Sequence, residues 1–230
     1  SSKVASYHKK LINATDFPFV NIRTVEQAET SKFNILNIIQ DEVKLDIGQP
    51  TEIGGRLAAM SLDYACHDLM NGKLDALVTN PINKKNIQSD KFNFPGHTEY
   101  LTNKFGVEES LMIMTCHDLH IGIMTNHLSL SQVPKVLNRE LILRKLQVMD
   151  SSLKRDFGIR MPKIAVLALN PHAGDRGLIG TEDDSIVAPA IREAFDNGIL
   201  AFGPYPADGF FGNGTFREFD GVMALYHDQG

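Results

Sequence analysis

Eight histidines are spread along the 230 residues, and three share a setting. His127 follows Thr125-Asn126, His172 follows Asn170-Pro171 and His227 follows Tyr226, each just after a short run rich in Val, Ile, Leu, Ala or Met. Such runs read as buried strands, and in open α/β sheets ligands bind at the carboxyl ends of strands. Three neutral imidazoles meeting there would hold a divalent cation and leave coordination positions open, as a catalytic metal requires. The three lie far apart in the chain, so spacing leaves a second reading open: independent histidines, at the surface or hydrogen bonded.

The densest motif is Asn170-Pro171-His172-Ala173-Gly174-Asp175-Arg176-Gly177-Leu178-Ile179-Gly180-Thr181-Glu182-Asp183. It passes from a strand end through three glycines into a helix start, a shape that brings backbone N–H groups close to a ligand or else forms a flexible loop with its cap. Pro95-Gly96-His97-Thr98-Glu99 sets an imidazole and a hydroxyl at another helix start, suited to holding a phosphate or carboxylate or to plain capping. Cys66-His67-Asp68 and Cys116-His117-Asp118-Leu119-His120 look metal-like, but adjacent side chains diverge, so both read as core cysteines beside polar surface residues. Gly54-Gly55 lies within a helical pattern and is no GxGxxG fingerprint; GxSxG, Walker A, HExxH and kinase motifs are missing too.

The elements that must position these residues alternate. Apolar runs at 74–79, 111–115, 121–125, 164–169 and 222–226 are separated by helical patterns at 52–70, 132–157 and 183–197, which argues for α/β layering. Pro50-Thr51, Thr98-Glu99 and Thr181 mark helix starts; Gly72, Gly106, Gly158 and Gly198 mark stops. Stretches 80–96 and 203–219 are irregular and turn-rich, and the first is the best boundary between two parts. A composition of 43% hydrophobic and 22% charged residues excludes a disordered or fibrous chain. With 23 basic against 28 acidic residues and no basic block, nucleic acid is not an expected partner. No run of about 20 apolar residues and no signal-peptide profile occurs, so the expected setting is cytoplasmic, without a membrane, with Cys66 and Cys116 reduced.

Taken in order, Val78-Thr79-Asn80-Pro81 with Lys84, Gly96-His97-Thr98-Glu99, Thr125-Asn126-His127-Leu128, the 169–182 segment, Gly203-Pro204-Tyr205-Pro206-Ala207-Asp208 and Tyr226-His227-Asp228-Gln229-Gly230 resemble the 4-hydroxythreonine-4-phosphate dehydrogenase family of pyridoxal phosphate biosynthesis. The match covers nearly the whole chain. It implies an α/β fold like isocitrate and isopropylmalate dehydrogenases: two α/β/α domains with a cleft between them, in a homodimer whose active site lies at the subunit interface. Residues 1–98 would be part of the first domain and 99–230 the second. The resemblance also accounts for the missing Rossmann fingerprint, since that superfamily binds NAD or NADP without one.

Carried over by motif, His127, His172 and His227 match the metal ligands, drawn from both partners, and His97 and Thr98 the substrate-binding pair. The implied metal is zinc first, with Mg, Mn or Co as alternatives. Lys84 would stabilise negative charge, and Asp208 and Asp228 would orient a ligating histidine or relay a proton. The implied reaction oxidises and decarboxylates 4-(phosphooxy)-L-threonine to 3-amino-2-oxopropyl phosphate. A related dehydrogenase of another phosphorylated hydroxy acid, or a metal-dependent phosphoester hydrolase, are the alternatives. Family members begin with a Gly-Asp-Pro-Gly-Ile-Gly type turn and continue past the Tyr-His-Asp-Gln-Gly segment. The chain therefore reads as an internal stretch, not expected to turn over substrate alone, with cofactor-binding residues unassigned.

Overall fold

A run of apolar residues becomes a strand only where a neighbouring strand takes up its backbone N–H and C=O groups. That condition separates the two parts of this chain. The computed structural model describes residues 1–14, 16–39 and 43–230, and its contacts divide the chain into a unit of Ser1–Gly106 and a unit of Val107–Gly230.

The first unit holds helix α1 (Ser2–Leu11), a parallel pair of short strands, β1 (Val20–Ile22) and β2 (Asn34–Leu36), and helices α2 (Glu52–Met70) and α3 (His97–Lys104). The α2 boundaries are those the sequence implies: the Thr51 hydroxyl accepts the Gly54 N–H at 3.2 Å, and Gly72 turns left-handed beyond the last turn. Leu62 and Cys66 of α2 pack with Ile87, Phe92 and Tyr100 of α3, the last two rings stacked 4.9 Å apart. The Tyr100 hydroxyl donates to Asp63 at 3.1 Å, and the Lys104 ammonium meets the same carboxylate at 2.5 Å, which holds the Asp63 pKa below its ordinary value. Because Tyr100 sits in this core, α3 belongs wholly to the first unit, and the division falls after Gly106, later than the expected 98/99 boundary. The apolar run 74–79, expected as a strand, has no ladder, and Val78 is 95% exposed. Gly54-Gly55 is explained by packing. A Cβ on Gly55 would lie 1.9 Å from the Asn86 carbonyl oxygen, so α2 crosses the backbone there.

The second unit is built on a five-stranded sheet of β3 (Met112–Cys116), β4 (Leu119–Thr125), β5 (Ile164–Leu167), β6 (Ala201–Tyr205) and β7 (Gly221–Tyr226), in the order β3-β4-β7-β5-β6. β3 is antiparallel to β4, and the other pairings are parallel. Helices α4 (Val133–Val136), α5 (Arg139–Arg155), α6 (Ala188–Asp196) and α7 (Ala207–Gly212) complete it. Strand residues alternate between two cores: Ile164, Val166, Met223 and Leu225 join Leu146 and Met149 of α5 and Ile191 of α6, whereas Ala165, Leu167, Val222 and Ala224 join Phe210 of α7. Both sheet faces are therefore covered, as continuous apolar runs require. The helical pattern at 132–157 breaks into α4 and α5 because Asn138, in extended backbone, accepts the Leu141 N–H at 2.9 Å and starts a new helix. The pattern at 183–197 opens with a π-helical turn, Asp183–Val187, before α6. Among the described residues no helix is long and apolar enough to cross a membrane.

Two outcomes follow for stability. Gly55→Ala should lower the urea midpoint by an amount equivalent to roughly 1–3 kcal/mol; an unchanged midpoint would contradict the helix-on-backbone contact. A carboxyl whose folded pKa is depressed stabilises the fold above its unfolded value of about 4 and loses that contribution as pH falls through the folded value. Asp63→Asn should therefore flatten the fall in thermal midpoint below about pH 4 relative to wild type.

Candidate functional site

The parallel ladder of β4 and β7 pairs Thr125 with Tyr226, so the residues that follow leave the same edge of the sheet side by side. His127 and His227 consequently lie with ring centroids 6.3 Å apart and planes at 30°. The His227 Nδ1–H donates to Asp228 Oδ1 at 2.9 Å, which leaves Nε2 as the free ring acceptor. Both groups are solvent-exposed, with half of the His227 side chain accessible. The buried Oδ1 of Asn126, the residue before His127, has no hydrogen-bond partner and is an acceptor awaiting a donor.

Three side chains to which the sequence reading gave no role tie this edge together. Thr125 Oγ1 donates to the Leu225 carbonyl at 2.6 Å, joining β4 to β7. Gln229 accepts the Leu225 N–H at 2.7 Å and donates to the Ala168 carbonyl at 2.5 Å, joining β7 to the exit of β5. Asp183, fully buried, accepts the N–H groups of Leu169 at 2.7 Å and Asn170 at 2.9 Å and the Asn170 side-chain N–H at 3.0 Å. Gln229 stands inside a motif the sequence singled out, three residues after a strand, which was the available signal.

His172 stands exposed on the loop that leaves β5, at φ 53°. Positive φ continues through Ala173, Gly174, Asp175, Arg176 and Gly177, a left-handed turn. The expected capping side chain at Thr181 makes way for Asp183, which reaches back to the strand exit. Glu182 Oε2 accepts from Asn170 Nδ2 at 3.0 Å, and backbone N–H groups together with that bond hold its pKa low. Asp208 is exposed in the first turn of α7, directly after β6, and so belongs to the same carboxyl edge of the sheet.

An ion bound by an imidazole sits about 3.2 Å from the ring centroid, so two rings sharing a tetrahedral ion stand about 5 Å apart. The His127 and His227 rings, at 6.3 Å, are neighbours about 1 Å wider than that spacing. Among the described residues no three His, Cys, Asp or Glu side chains are gathered as a metal group, so one chain brings together two of the three expected imidazoles and leaves His172 apart.

In the first unit, His97 and Thr98 open α3, both half-buried, and Gly96 precedes them. The Lys84 ammonium lies 3.9 Å from where a Gly96 Cβ would stand. An ammonium beside the first N–H groups of a helix is an arrangement for an anion. The Glu99 carboxylate stands nearer still to that point, at 3.4 Å, so Lys84 and Glu99 flank Gly96 at the start of the helix that His97 and Thr98 open.

Comparison with known proteins identifies the family. The model of the PdxA family, described as pyridoxal phosphate biosynthetic protein PdxA, matches residues 1–230. A 4-hydroxythreonine-4-phosphate dehydrogenase from Bacteroides thetaiotaomicron is 43% identical over 232 residues, covering 100% of this chain and 63% of the relative. A relative from Cutibacterium acnes, named as a candidate D-threonate 4-phosphate dehydrogenase, is 37% identical over 90% of this chain and 61% of its own length. The crystal structure of a 4-hydroxythreonine-4-phosphate dehydrogenase from Klebsiella pneumoniae superposes with a TM-score of 0.82 at 31% identity, covering 96% of this chain and 69% of that one. The chain spans under two thirds of the length of the Bacteroides relative. With the whole of its sequence matched by the family model and its fold shared with a solved member, this chain belongs to the PdxA family of pyridoxal phosphate biosynthetic proteins.

Proposed function

We propose that the protein is an NAD(P)-dependent, divalent-metal-assisted dehydrogenase that converts 4-(phosphooxy)-L-threonine to 3-amino-2-oxopropyl phosphate and carbon dioxide. It would act in the cytoplasm as a homodimer. The observation that carries this reading is the pairing of His127 with His227 at the carboxyl ends of adjacent parallel strands, in a chain whose relatives are named as dehydrogenases. These two residues would hold the ion, zinc first, with His172 of a second copy as third ligand; its exposure on the loop after β5 leaves it accessible to such a partner. When bound, the ion supplies positive charge against a substrate oxygen that becomes anionic. A bound nicotinamide would supply the hydride acceptor for the carbinol carbon.

The chain's own residues do the rest. Asp228 would keep the His227 proton on Nδ1 and leave Nε2 free to meet an ion. Asp208, at the same edge, would take the hydroxyl proton as the C–O bond becomes a carbonyl. The product of that step is a β-keto acid; its carboxylate departs as carbon dioxide, and the electron pair left behind is protonated at carbon. Lys84 and the opening N–H groups of α3, with His97 and Thr98, would take the phosphate or carboxylate of the substrate.

A second reading, oxidation of a phosphorylated hydroxy acid lacking the amino group, is favoured by the likeness to the Cutibacterium relative. Both substrates present a secondary alcohol and a phosphate. Parallel assays with 4-phosphohydroxythreonine and threonate 4-phosphate, monitored by NAD(P)H fluorescence and phosphate release, separate them; phosphate release without NAD(P)H would instead indicate a hydrolase.

The metal assignment is tested by titrating zinc into the protein. His127→Ala and His227→Ala should abolish stoichiometric binding, and Asp228→Asn should weaken binding by about 10–100-fold. Unchanged zinc stoichiometry in both histidine variants would defeat the reading.

A further inference from the structure

We infer that Asp183 is a positioning residue for His172: its buried carboxylate pins the exit of β5 and so holds the following loop in a left-handed turn that presents the imidazole. The inference rests on the reading of His172 as a ligand, and the loop geometry argues for it independently of any bound group.

Residues 172–177 all have positive φ: 53°, 53°, 80°, 44°, 55° and 87°. L-residues enter that region singly and seldom in series, because Cβ crowds the following carbonyl. Here four of the six, His172, Ala173, Asp175 and Arg176, carry a Cβ. The turn is closed by its own bonds, Asp175 N–H to the His172 carbonyl at 3.2 Å, Gly177 N–H to the Gly174 carbonyl at 3.0 Å and Ile179 N–H to the Gly174 carbonyl at 3.0 Å. A conformation disfavoured at four residues persists only where the surroundings over-determine it.

What determines it lies at the base of the loop. Asp183 gathers three N–H donors from Leu169 and Asn170, and its full burial keeps water from competing for them. The Asn170 amide also reaches Glu182, so the residue before Pro171 is held from two sides. The loop then crosses itself without room for a side chain: a Cβ on Gly174 would lie 2.6 Å from the Gly180 carbonyl oxygen. The entry and exit of the loop are thereby fixed to each other, and His172 stands between them. A buried residue cannot itself touch substrate, so its effect passes through the loop.

Asp183→Asn tests this, because it keeps size and shape while turning one oxygen into an N–H that faces other N–H groups. Two readouts apply: hydrogen exchange of the loop amides Ala173, Gly177 and Ile179 against the β5 and β7 amides, and zinc affinity measured calorimetrically with zinc chloride. Exchange in the loop should rise at least tenfold with the strands unchanged, and zinc affinity should fall at least tenfold. Ala173→Gly added to Asp183→Asn should recover part of both, since glycine adopts positive φ without crowding. Loop protection and zinc affinity equal to wild type would overturn the inference, as would strand amides exchanging as fast as the loop, which marks a merely structural role. Should Asp183→Asn not fold, Asn170→Ala removes one arm of the clamp and is read by the same measures. If His172→Ala binds zinc as wild type does, the ligand reading of His172 has failed, while loop exchange in Asp183→Asn still decides the clamp.

Discussion

The register between β4 and β7 is the constraint on which the rest of the second unit depends. A strand has a side-chain period of two, so a slip of one residue would carry Met223 and Leu225 out of the core under α5 and α6 and drive Val222 and Ala224 into it. Burial on both faces opposes that exchange, because each residue is packed against the helices of its own face. Once Ile123 is set beside Ala224, Thr125 must stand beside Tyr226, and His127 and His227 must emerge together. The juxtaposition of two imidazoles is thus a consequence of hydrophobic packing some distance below them.

The edge above that core is organised in the order of the sheet. Thr125 binds the end of β7, Gln229 binds the end of β7 to that of β5, and Asp183 binds the exit of β5 to the start of the next helical segment. Each link satisfies a backbone group that strand termination leaves without a ladder partner. The loops that carry His127, His172 and His227 are therefore anchored within a residue or two of the point where each leaves the sheet, which is what a site of fixed geometry needs.

Much of this was legible in the sequence, and the exceptions have physical causes. The sheet strands of the second unit stand out as apolar runs because both faces are buried, and α2 stands out because Thr51 and Gly72 bracket it. The run 74–79 has the same composition, yet composition cannot supply a neighbouring strand, and without one it stays outside any ladder. The break between α4 and α5 turned on whether Asn138 spent its side chain on a cap or on the helix surface, a local competition that pattern does not resolve. Position after a strand located His127, His172 and His227. It could not single out Thr125, Asp183 or Gln229, whose partners lie on other strands or on the far side of a loop.

The left-handed turn was the least legible feature, since Ala and Arg give no sign of it, and its energetics show why Asp183 must be buried. Four non-glycine residues at roughly 1–2 kcal/mol each disfavour the turn by about 4–8 kcal/mol. That is comparable to the whole stability of a domain, at about 5–15 kcal/mol. Three hydrogen bonds to a carboxylate at roughly 1.5–3 kcal/mol each contribute about 5–9 kcal/mol, enough to offset it. Those values hold only where water does not compete, so a clamp of this strength cannot sit at the surface beside the exposed His172 it serves. The loop accordingly divides its labour: chemistry at an exposed apex, and the interaction that fixes the apex at a dry base eleven residues further along the chain.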